Sequence, residues 1–429
     1  MEWTYDSAAT KILSAPRFKV VPSVENMNQY LEWLNHPERE FHIIHVAGTN
    51  GKGSTCAFLE SILRQEGYRT GLFTSPHLVS VRERMQINCE PVDKETFLQC
   101  FFQIEEAQEK SGYPPLTFFE YILVMALLIF QKKKVEYAVI EAGMGGRSDA
   151  TNALFPVLSI ITAVGMDHMQ YLGNTIEKIA EEKAGIMKAG VPCIAVDHKK
   201  EVTRIFQSEA VKKGSPLYLL PEDSFKILKN TGKVIDFSVK NRYYRNNTLS
   251  VSSKGLYQVE NGAVAATAAR ILFPEISDKI IEVGLAHAFW PGRMEEIGEG
   301  IVADGAHNLP SIEALMKTVR QDGKEKEGRI LVFAVAADKD YDKMARELVS
   351  QDDFRLVILT RIPYERMEDP AKVKPVFCRY TKVPVETEAS MEKAYEYALS
   401  MQRPGEMIYL AGSLYFIGEL KKYLKGDED

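Results

Sequence analysis

Cysteine is scarce and unpaired in this chain. Its five cysteines (Cys56, Cys89, Cys100, Cys193 and Cys378) are an odd number without C-x-x-C spacing, which excludes a disulfide framework or a conventional zinc site and points to a reducing compartment. Long apolar runs are missing too. The longest, Phe118 to Phe130, falls short of the roughly 20 residues that span a bilayer and carries Glu120 near its start, so a buried helix is expected. The N-terminus, MEWTYDSAATKIL, has no basic region followed by an apolar block, and no signal peptide is read there. Positive charge is not in excess either: the net charge is -6, which disfavours a nucleic-acid surface. The longest basic run, Lys132 to Lys134, ends an apolar helix, where it answers the helix dipole. Neither nucleic acid nor membrane is expected as a partner, and the cytoplasm is the expected location. No repeats or low-complexity segments appear beyond an acidic tip, Gly426 to Asp429.

What is present is an ordinary enzyme composition, 45% hydrophobic and 26% charged, in 429 residues, enough for two or three domains at about 150 residues each. The most informative stretch is Phe41 to Glu66, FHIIHVAGTNGKGSTCAFLESILRQE. It predicts a strand over Phe41 to Ala47, a glycine-rich turn over Gly48 to Ser54, and an amphipathic helix ending near Gly67. Gly48, Gly51 and Gly53 allow backbone N–H groups to converge where the helix N-terminus adds partial positive charge, which makes a phosphate cradle of Gly48, Thr49, Asn50, Gly51, Lys52, Gly53 and Ser54. Lys52 supplies a cation for the outer phosphates, and Ser54 and Thr55 supply hydroxyls. The spacing departs from G-x-x-x-x-G-K-S/T, because Gly53 stands between Lys52 and Ser54.

Strands and helices then alternate, which is the rhythm of a parallel α/β sheet. Ser23 to Leu34 reads as a helix with Ser23 as N-cap, Thr70 to Phe73 as a strand, and Asp93 and Thr117 as N-caps of two further helices. Val135 to Glu141 and Val157 to Thr162 read as buried strands. Ligands gather at the carboxyl ends of such strands, so the phosphate loop, Glu141 and Asp167-His168 are expected at one edge. A helix over Thr175 to Lys188, a strand over Val191 to Val196, a small antiparallel patch over Ser215 to Leu256 with turns at Asn230-Thr231-Gly232 and Asn246-Asn247, and a helix over Gln258 to Leu272 follow. Ala288 to Arg293 reads as a linker, which divides the chain into 1–290 and 291–429. Beyond it come a strand over Ile301 to Ala303, a helix over Pro310 to Arg320, strands over Ile330 to Ala334, Leu356 to Leu359 and Met407 to Leu410, and helices over Tyr341 to Val349 and Ser390 to Ser400.

Several side chains suit chemistry at that edge. Glu141 is either a strand-end charge or a Mg²⁺ ligand, since Mg²⁺ prefers hard oxygen donors and phosphate oxygens. His168 is either structural or an unusual ligand. Lys183, among Glu181 and Glu182, reads on its own as a surface ion pair. Arg293 and the Asp304-Gly305-Ala306-His307-Asn308 cluster flank the domain junction, where an arginine can neutralise a transferring phosphoryl group.

Eight motifs, AGTNGKGST, TSPH, EAGMGGRSDATN, GMDHMQYLG, EEKAGIMK, WPGRME, DGAHN and AGSLYFIGE, stand in the order and approximate spacing of the folylpolyglutamate synthase and dihydrofolate synthase family. From about Phe41 to Gly418 the chain resembles that family, part of the ATP-dependent Mur ligase superfamily. The resemblance implies an α/β fold: a P-loop-containing Mur ligase-type ATPase domain with a parallel sheet, and a smaller Rossmann-like C-terminal domain. It implies ATP and two Mg²⁺ ions as cofactors, with Ser75, Glu141 and His168 as metal ligands and Lys183 carbamylated to hold the second ion. Asn261, Arg293 and Asp304 match nucleotide contacts, and His307 joins Lys52, Lys183 and Arg293 among the catalytic positions. Asp149 and Asn152 resemble positions near the pterin end of the folate, and Arg84 lies in the substrate loop.

Three departures from the family pattern stand out: Ala47 for a frequent threonine, Leu309 before Pro310 after the GAHN motif, and Asn88-Cys89-Glu90 for a glycine-containing turn near that substrate loop. The implied activity is an amide ligation by a monomer: ATP phosphorylates a folate or dihydropteroate carboxylate, and the amine of L-glutamate attacks the acyl phosphate. The alternatives are a cell-wall Mur ligase, disfavoured because no UDP-sugar domain is read ahead of the loop, and a regulatory P-loop ATPase, which would need neither the DATN loop nor the DGAHN cluster.

Overall fold

The computed structural model describes residues 3–16, 23–197, 199–324, 328–364 and 366–426; of the expected acidic tip, 427–429 lie outside them. Eight strands build the first sheet: β1 (His42–Ala47), β2 (Thr70–Phe73), β3 (Met85–Ile87), β4 (Glu90–Pro91), β5 (Tyr137–Glu141), β6 (Leu158–Ile161), β7 (Cys193–Asp197) and β8 (Leu217–Pro221). Their spatial order is β4-β3-β2-β5-β1-β6-β7-β8. The six from β2 to β8 run parallel, and β3 and β4 add an antiparallel margin. The central strands are buried along almost their whole length because helices cover both faces. Since β2, β5, β1 and β6 are consecutive neighbours, the loops that leave them meet at one edge.

Helix Phe118–Lys132 is buried as expected, and its one acid has a local role. Glu120 closes a capping box, accepting from the Thr117 N–H at 2.7 Å while Thr117 Oγ1 accepts from the Glu120 N–H at 3.4 Å. Asp93 is the N-cap of helix Lys94–Ser111, accepting from Thr96 N–H at 2.6 Å.

A three-stranded antiparallel sheet follows, β9 (Phe225–Asn230), β10 (Ile235–Lys240) and β11 (Arg245–Val251). The Asn230-Thr231-Gly232 turn joins its first two strands, but Asn246-Asn247 is not a turn: both residues lie inside β11. The bend sits earlier because the Asn241 side chain organises it, with Oδ1 accepting from the N–H groups of Tyr243 and Tyr244.

From Glu295 onward a second sheet forms from β12 (Glu295–Gly298), β13 (Ile301–Ala303), β14 (Arg329–Phe333), β15 (Leu356–Leu359), β16 (Val385–Thr387) and β17 (Met407–Ala411), ordered β12-β13-β17-β14-β15-β16. All but β12 pair in parallel. Two apolar clusters cover its faces, one of them including helices Met391–Met401 and Leu414–Lys425. Helix Leu309–Val319 starts with Leu309 and Pro310 in its first turn, and Asn308 caps it through Ser311 N–H at 3.0 Å, so the unusual leucine is absorbed without breaking the helix start. Helix Ile176–Ala184 stops at Gly185, shorter than the expected span to Lys188. Ser23 is the first residue of its helix rather than a residue outside it.

Candidate active site at the sheet edge

The phosphate loop leaves β1 under tight constraint from the segment that follows β6. Gly48 has φ +152°, and a Cβ there would fall 1.8 Å from Thr162 Oγ1, so no other residue fits. Thr162 Oγ1 donates to Asn50 O at 2.7 Å. The N–H groups of Thr49 and Asn50 both donate to Ala163 O, at 2.8 and 3.3 Å, and Thr49 Oγ1 donates to Gly165 O at 3.0 Å. Those two amides therefore anchor the loop instead of facing a ligand. The first intrahelical bond of Lys52–Gln65 runs from Thr55 N–H to Gly51 O at 2.9 Å, which leaves the amides before it, through Ser54, at the helix mouth. The extra glycine has a steric cause. A Cβ on Gly53 would lie 2.8 Å from Trp290 Cζ2, so the linker tryptophan sits directly on the start of this helix.

Around the loop stand two lysines and a carboxylate. Lys52 Nζ donates to Gly48 O at 3.2 Å and Thr49 O at 3.3 Å and lies 3.9 Å from Glu141 Oε1. Glu141 ends β5 fully buried; its Oε2 accepts from Ser75 N–H at 2.9 Å, which ties the loop after β2 to the same point. Burial raises its pKa, opposed by Lys52. Lys183 is no surface ion pair: it is 2% exposed, its Nζ donates to Gly48 O at 2.8 Å, and burial, helped by Lys52, lowers its pKa to about 7.

The second half of the site comes from the C-terminal sheet. Asp304, just past β13, is buried; its Oδ2 accepts from Tyr257 Oη at 2.6 Å and Met294 N–H at 3.0 Å, and its Oδ1 from Ala306 N–H at 2.8 Å. Burial raises its pKa and Arg293 opposes the rise. Arg293 Nη1 donates to Gly292 O at 3.1 Å. His307 Nδ1 donates to Gly305 O at 2.7 Å, which turns Nε2 towards Asp167, 3.7 Å away. Asn261 Nδ2 donates to Gln258 Oε1 at 2.8 Å, and Gln258 Nε2 to Ser54 Oγ at 3.2 Å, so Asn261 joins the helix mouth through a neighbour absent from the sequence-based set.

His168 has a left-handed backbone (φ 49°), and burial lowers its pKa to about 4, keeping the imidazole neutral as a metal ligand must be. Asp167 beside it bonds to residues of the second sheet's loops. Its Oδ1 accepts from Lys339 Nζ at 2.6 Å and its Oδ2 from Asn308 Nδ2 at 2.8 Å. Sequence reasoning had placed Asp167 at this edge without giving it a role and had missed Lys339, Gln258 and Tyr257. No local spacing links residues that meet only through the packing of two sheets.

The substrate-loop residues are arranged differently. Arg84 Nε donates to His77 Nδ1 at 2.8 Å, and its guanidinium lies 5.0 Å from the centre of the Phe118 ring. Asp149 turns inward and accepts from Met144 N–H at 2.8 Å, Thr151 N–H at 3.0 Å and Thr151 Oγ1 at 2.5 Å. Thr151 Oγ1 also meets His45 Nε2 at 2.8 Å. Asn152 Nδ2 donates to Arg147 O at 2.9 Å. Two cavities flank the helix mouth. One of about 280 Å³ is lined by Ser54, Phe58, Gln258, Trp290 and Arg293, and one of about 230 Å³ by Ser75, Leu78, Glu141, Trp290 and Arg293.

The residues fit a magnesium ion better than a transition metal. Glu141 Oε1 has Lys52 no closer than 3.9 Å, so a buried carboxylate oxygen faces the loop. Among the described residues no group of three His, Cys, Asp or Glu side chains gathers to hold a metal. A hydroxyl and a buried carboxylate are hard oxygen donors that suit an ion taking its other ligands from phosphate and water, and an imidazole would be the unusual member of such a set.

Residues 46–269 match the Mur ligase middle domain, and residues 292–414 match the Mur ligase glutamate ligase domain. A curated dihydrofolate synthase/folylpolyglutamate synthase of Bacillus subtilis is 34% identical across 98% of this chain and 99% of its own length. The solved Mycobacterium tuberculosis folylpolyglutamate synthase complexed with ADP superposes with a TM-score of 0.88 at 25% identity, covering 99% of this chain and 100% of that one. A folylpolyglutamate synthase solved as an AMPPCP and folate complex gives a TM-score of 0.86 at 29% identity, with 99% and 100% coverage.

Proposed function

The chain belongs to the dihydrofolate synthase/folylpolyglutamate synthase family, whose domains are those of Mur ligases, and on that premise we infer an ATP-dependent ligase that joins L-glutamate to a folate. The observation that carries this reading is the meeting of four strand-end loops, after β2, β5, β1 and β6, with the Asp304 to Asn308 loop of the second sheet. A nucleotide held at the first group would present its outer phosphate towards the second.

In this reading the amides at the mouth of helix Lys52–Gln65 and the Lys52 ammonium hold the phosphates, and Asn261, Arg293 and Asp304 contact the nucleotide. Ser75, Glu141 and His168 would hold Mg²⁺, which when bound offsets the charge of the phosphates. The substrate carboxylate attacks the γ-phosphorus and ADP leaves; the glutamate amine then attacks the acyl carbon and phosphate leaves. No protein nucleophile is needed, so the work of the chain is positioning and electrostatics. Arg293, at the junction, offsets charge on the transferred group, and closure of the two units on each other excludes water that would hydrolyse the acyl phosphate.

Lys183 is proposed to be carbamylated, giving a carboxylate-like ligand for a second Mg²⁺. Its chemistry is suited to this. With a pKa near 7 the buried amine is neutral above that pH, so it can attack CO₂ and lose a proton, whereas an ordinary lysine remains protonated. Arg84, Asp149 and Asn152 are proposed to shape the folate site, Asp149 by fixing its loop. We place the hinge between the two units at residues 290–291 and expect a monomer in the cytoplasm; among the described residues no helix is long and apolar enough to cross a membrane.

Both tetrahydrofolate and dihydropteroate are candidate acceptors, since the B. subtilis relative is named for both activities. ADP release measured with each acceptor separately, with and without L-glutamate, tests the reading. Glutamate-dependent turnover with tetrahydrofolate is expected, and product with dihydropteroate would add the second activity. ADP formation indifferent to acceptor and glutamate would leave only an ATPase.

A further inference from the structure

Several contacts join the two units, among them Tyr257 with Asp304 and Leu256 N–H with Thr318 Oγ1, and at the phosphate loop they gather on one carboxylate. Asp167 lies past the end of β6, 9% exposed, and its bonded partners in the second unit are 141 and 172 residues away in sequence. Lys339, between β14 and helix Tyr341–Val349, places its ammonium 2.6 Å from Oδ1. Asn308 donates to Oδ2 at 2.8 Å and exchanges two hydrogen bonds with Asn50 of the phosphate loop, both 3.1 Å. His307 Nε2 stands 3.7 Å from the same Oδ2. The ion pair is largely desolvated, with Lys339 13% and Asp167 8% exposed at the side chain, so loss of one partner leaves an uncompensated buried charge. Asn308 is also the N-cap of helix Leu309–Val319, which makes the chain Asn50–Asn308–Asp167–Lys339 a rigid path from the phosphate loop to two elements of the second sheet.

We propose that Asp167 is a positioning residue, with Lys339 as its charged partner, that latches the C-terminal domain onto the phosphate loop and sets His307 and Asn308 in register with the transferred phosphoryl group. The latch deepens the ligase reading and rests on it for its catalytic part, but the domain register it sets is measurable without turnover. In the ligase reading Asp167 touches no reacting atom, so its loss is expected to act through orientation, of the second unit and of His168, from whose N–H it accepts at 2.8 Å.

Wild type, Asp167→Asn, Lys339→Met, Lys339→Arg and the double Asp167→Asn/Lys339→Met are compared. Small-angle X-ray scattering in AMPPCP is expected to give a larger radius of gyration for both single variants and the double, with Lys339→Arg close to wild type. Glutamate-dependent kcat is expected to fall on the order of a hundredfold in each single variant, as for a misplacement of about 1 Å, with no further loss in the double, because both changes break one interaction. Unchanged affinity for ADP shows that a variant is folded; should Asp167→Asn fail this control, Lys339→Met and Lys339→Glu carry the comparison. An unchanged radius of gyration, an unchanged kcat or losses that multiply in the double each overturn the latch. Should wild type show no glutamate-dependent turnover, the ligase reading falls and the scattering comparison alone decides the latch.

Discussion

Two glycine-rich loops leave neighbouring, directly paired strands, and they use their polar groups in opposite ways. The loop after β1 is braced from outside: Thr162, Ala163 and Gly165 hold its first residues, and Lys52 and the later amides remain at the open edge. The loop after β5 is held by Glu182 O and Lys188 at its far side, but its own acid is spent on bracing the loop. Asp149 is buried with its carboxylate bonded to Met144 and Thr151 of the same loop, and Thr151 in turn meets His45 on β1. A glycine run followed by a charged residue therefore does not reveal whether the charge serves a ligand or the fold; what decides is whether a neighbouring strand end supplies the bracing.

The largest effect should come from removing the room that outside bracing needs. Gly48→Ala places a Cβ 1.8 Å from Thr162 Oγ1 and should lower kcat/KM about a hundredfold or more while abolishing ADP binding by calorimetry; near-normal binding would show that the loop tolerates a shift. A smaller effect of a different kind is expected in the second loop. Asp149→Asn puts an amide where three donors point, and should destabilise the protein by about 1–3 kcal/mol in urea unfolding with ADP affinity unchanged. Weakened ADP binding there would erase the distinction between the loops.

An effect of similar size, but confined to acid pH, is expected at the point where the loops are joined. Burial holds the His45 pKa near 3 against an ordinary 6.5. Below about 6.5 the unfolded chain takes up a proton that the folded state refuses, so this residue lowers stability as pH falls, by about 2 kcal/mol between pH 7 and pH 5. His45→Phe should flatten the unfolding free energy over that interval, and an undiminished slope would mean that other groups set it.

Much of this was readable from sequence. Thr70–Phe73, Gln258–Leu272, Tyr341–Val349 and Leu356–Leu359 occur with the expected ends, because apolar periodicity and flanking breakers agree there. Helix Pro370–Phe377 escaped notice because prolines open and interrupt it. The edge that gathers the loops followed from strand order alone. What could not follow was which charges face each other across 172 residues, as Asp167 and Lys339 do, since sequence spacing encodes a helix face or a strand face but not the docking of one sheet on another.

The seat of Trp290 on Gly53 has an optical consequence. Of the three tryptophans, Trp3 and Trp33 pack against Phe101 and Tyr113, on and just beyond helix Lys94–Ser111. Only Trp290 borders both cavities at the helix mouth. The molecule thus carries a native fluorophore at the helix mouth, whose emission can report the arrival of a nucleotide without any label.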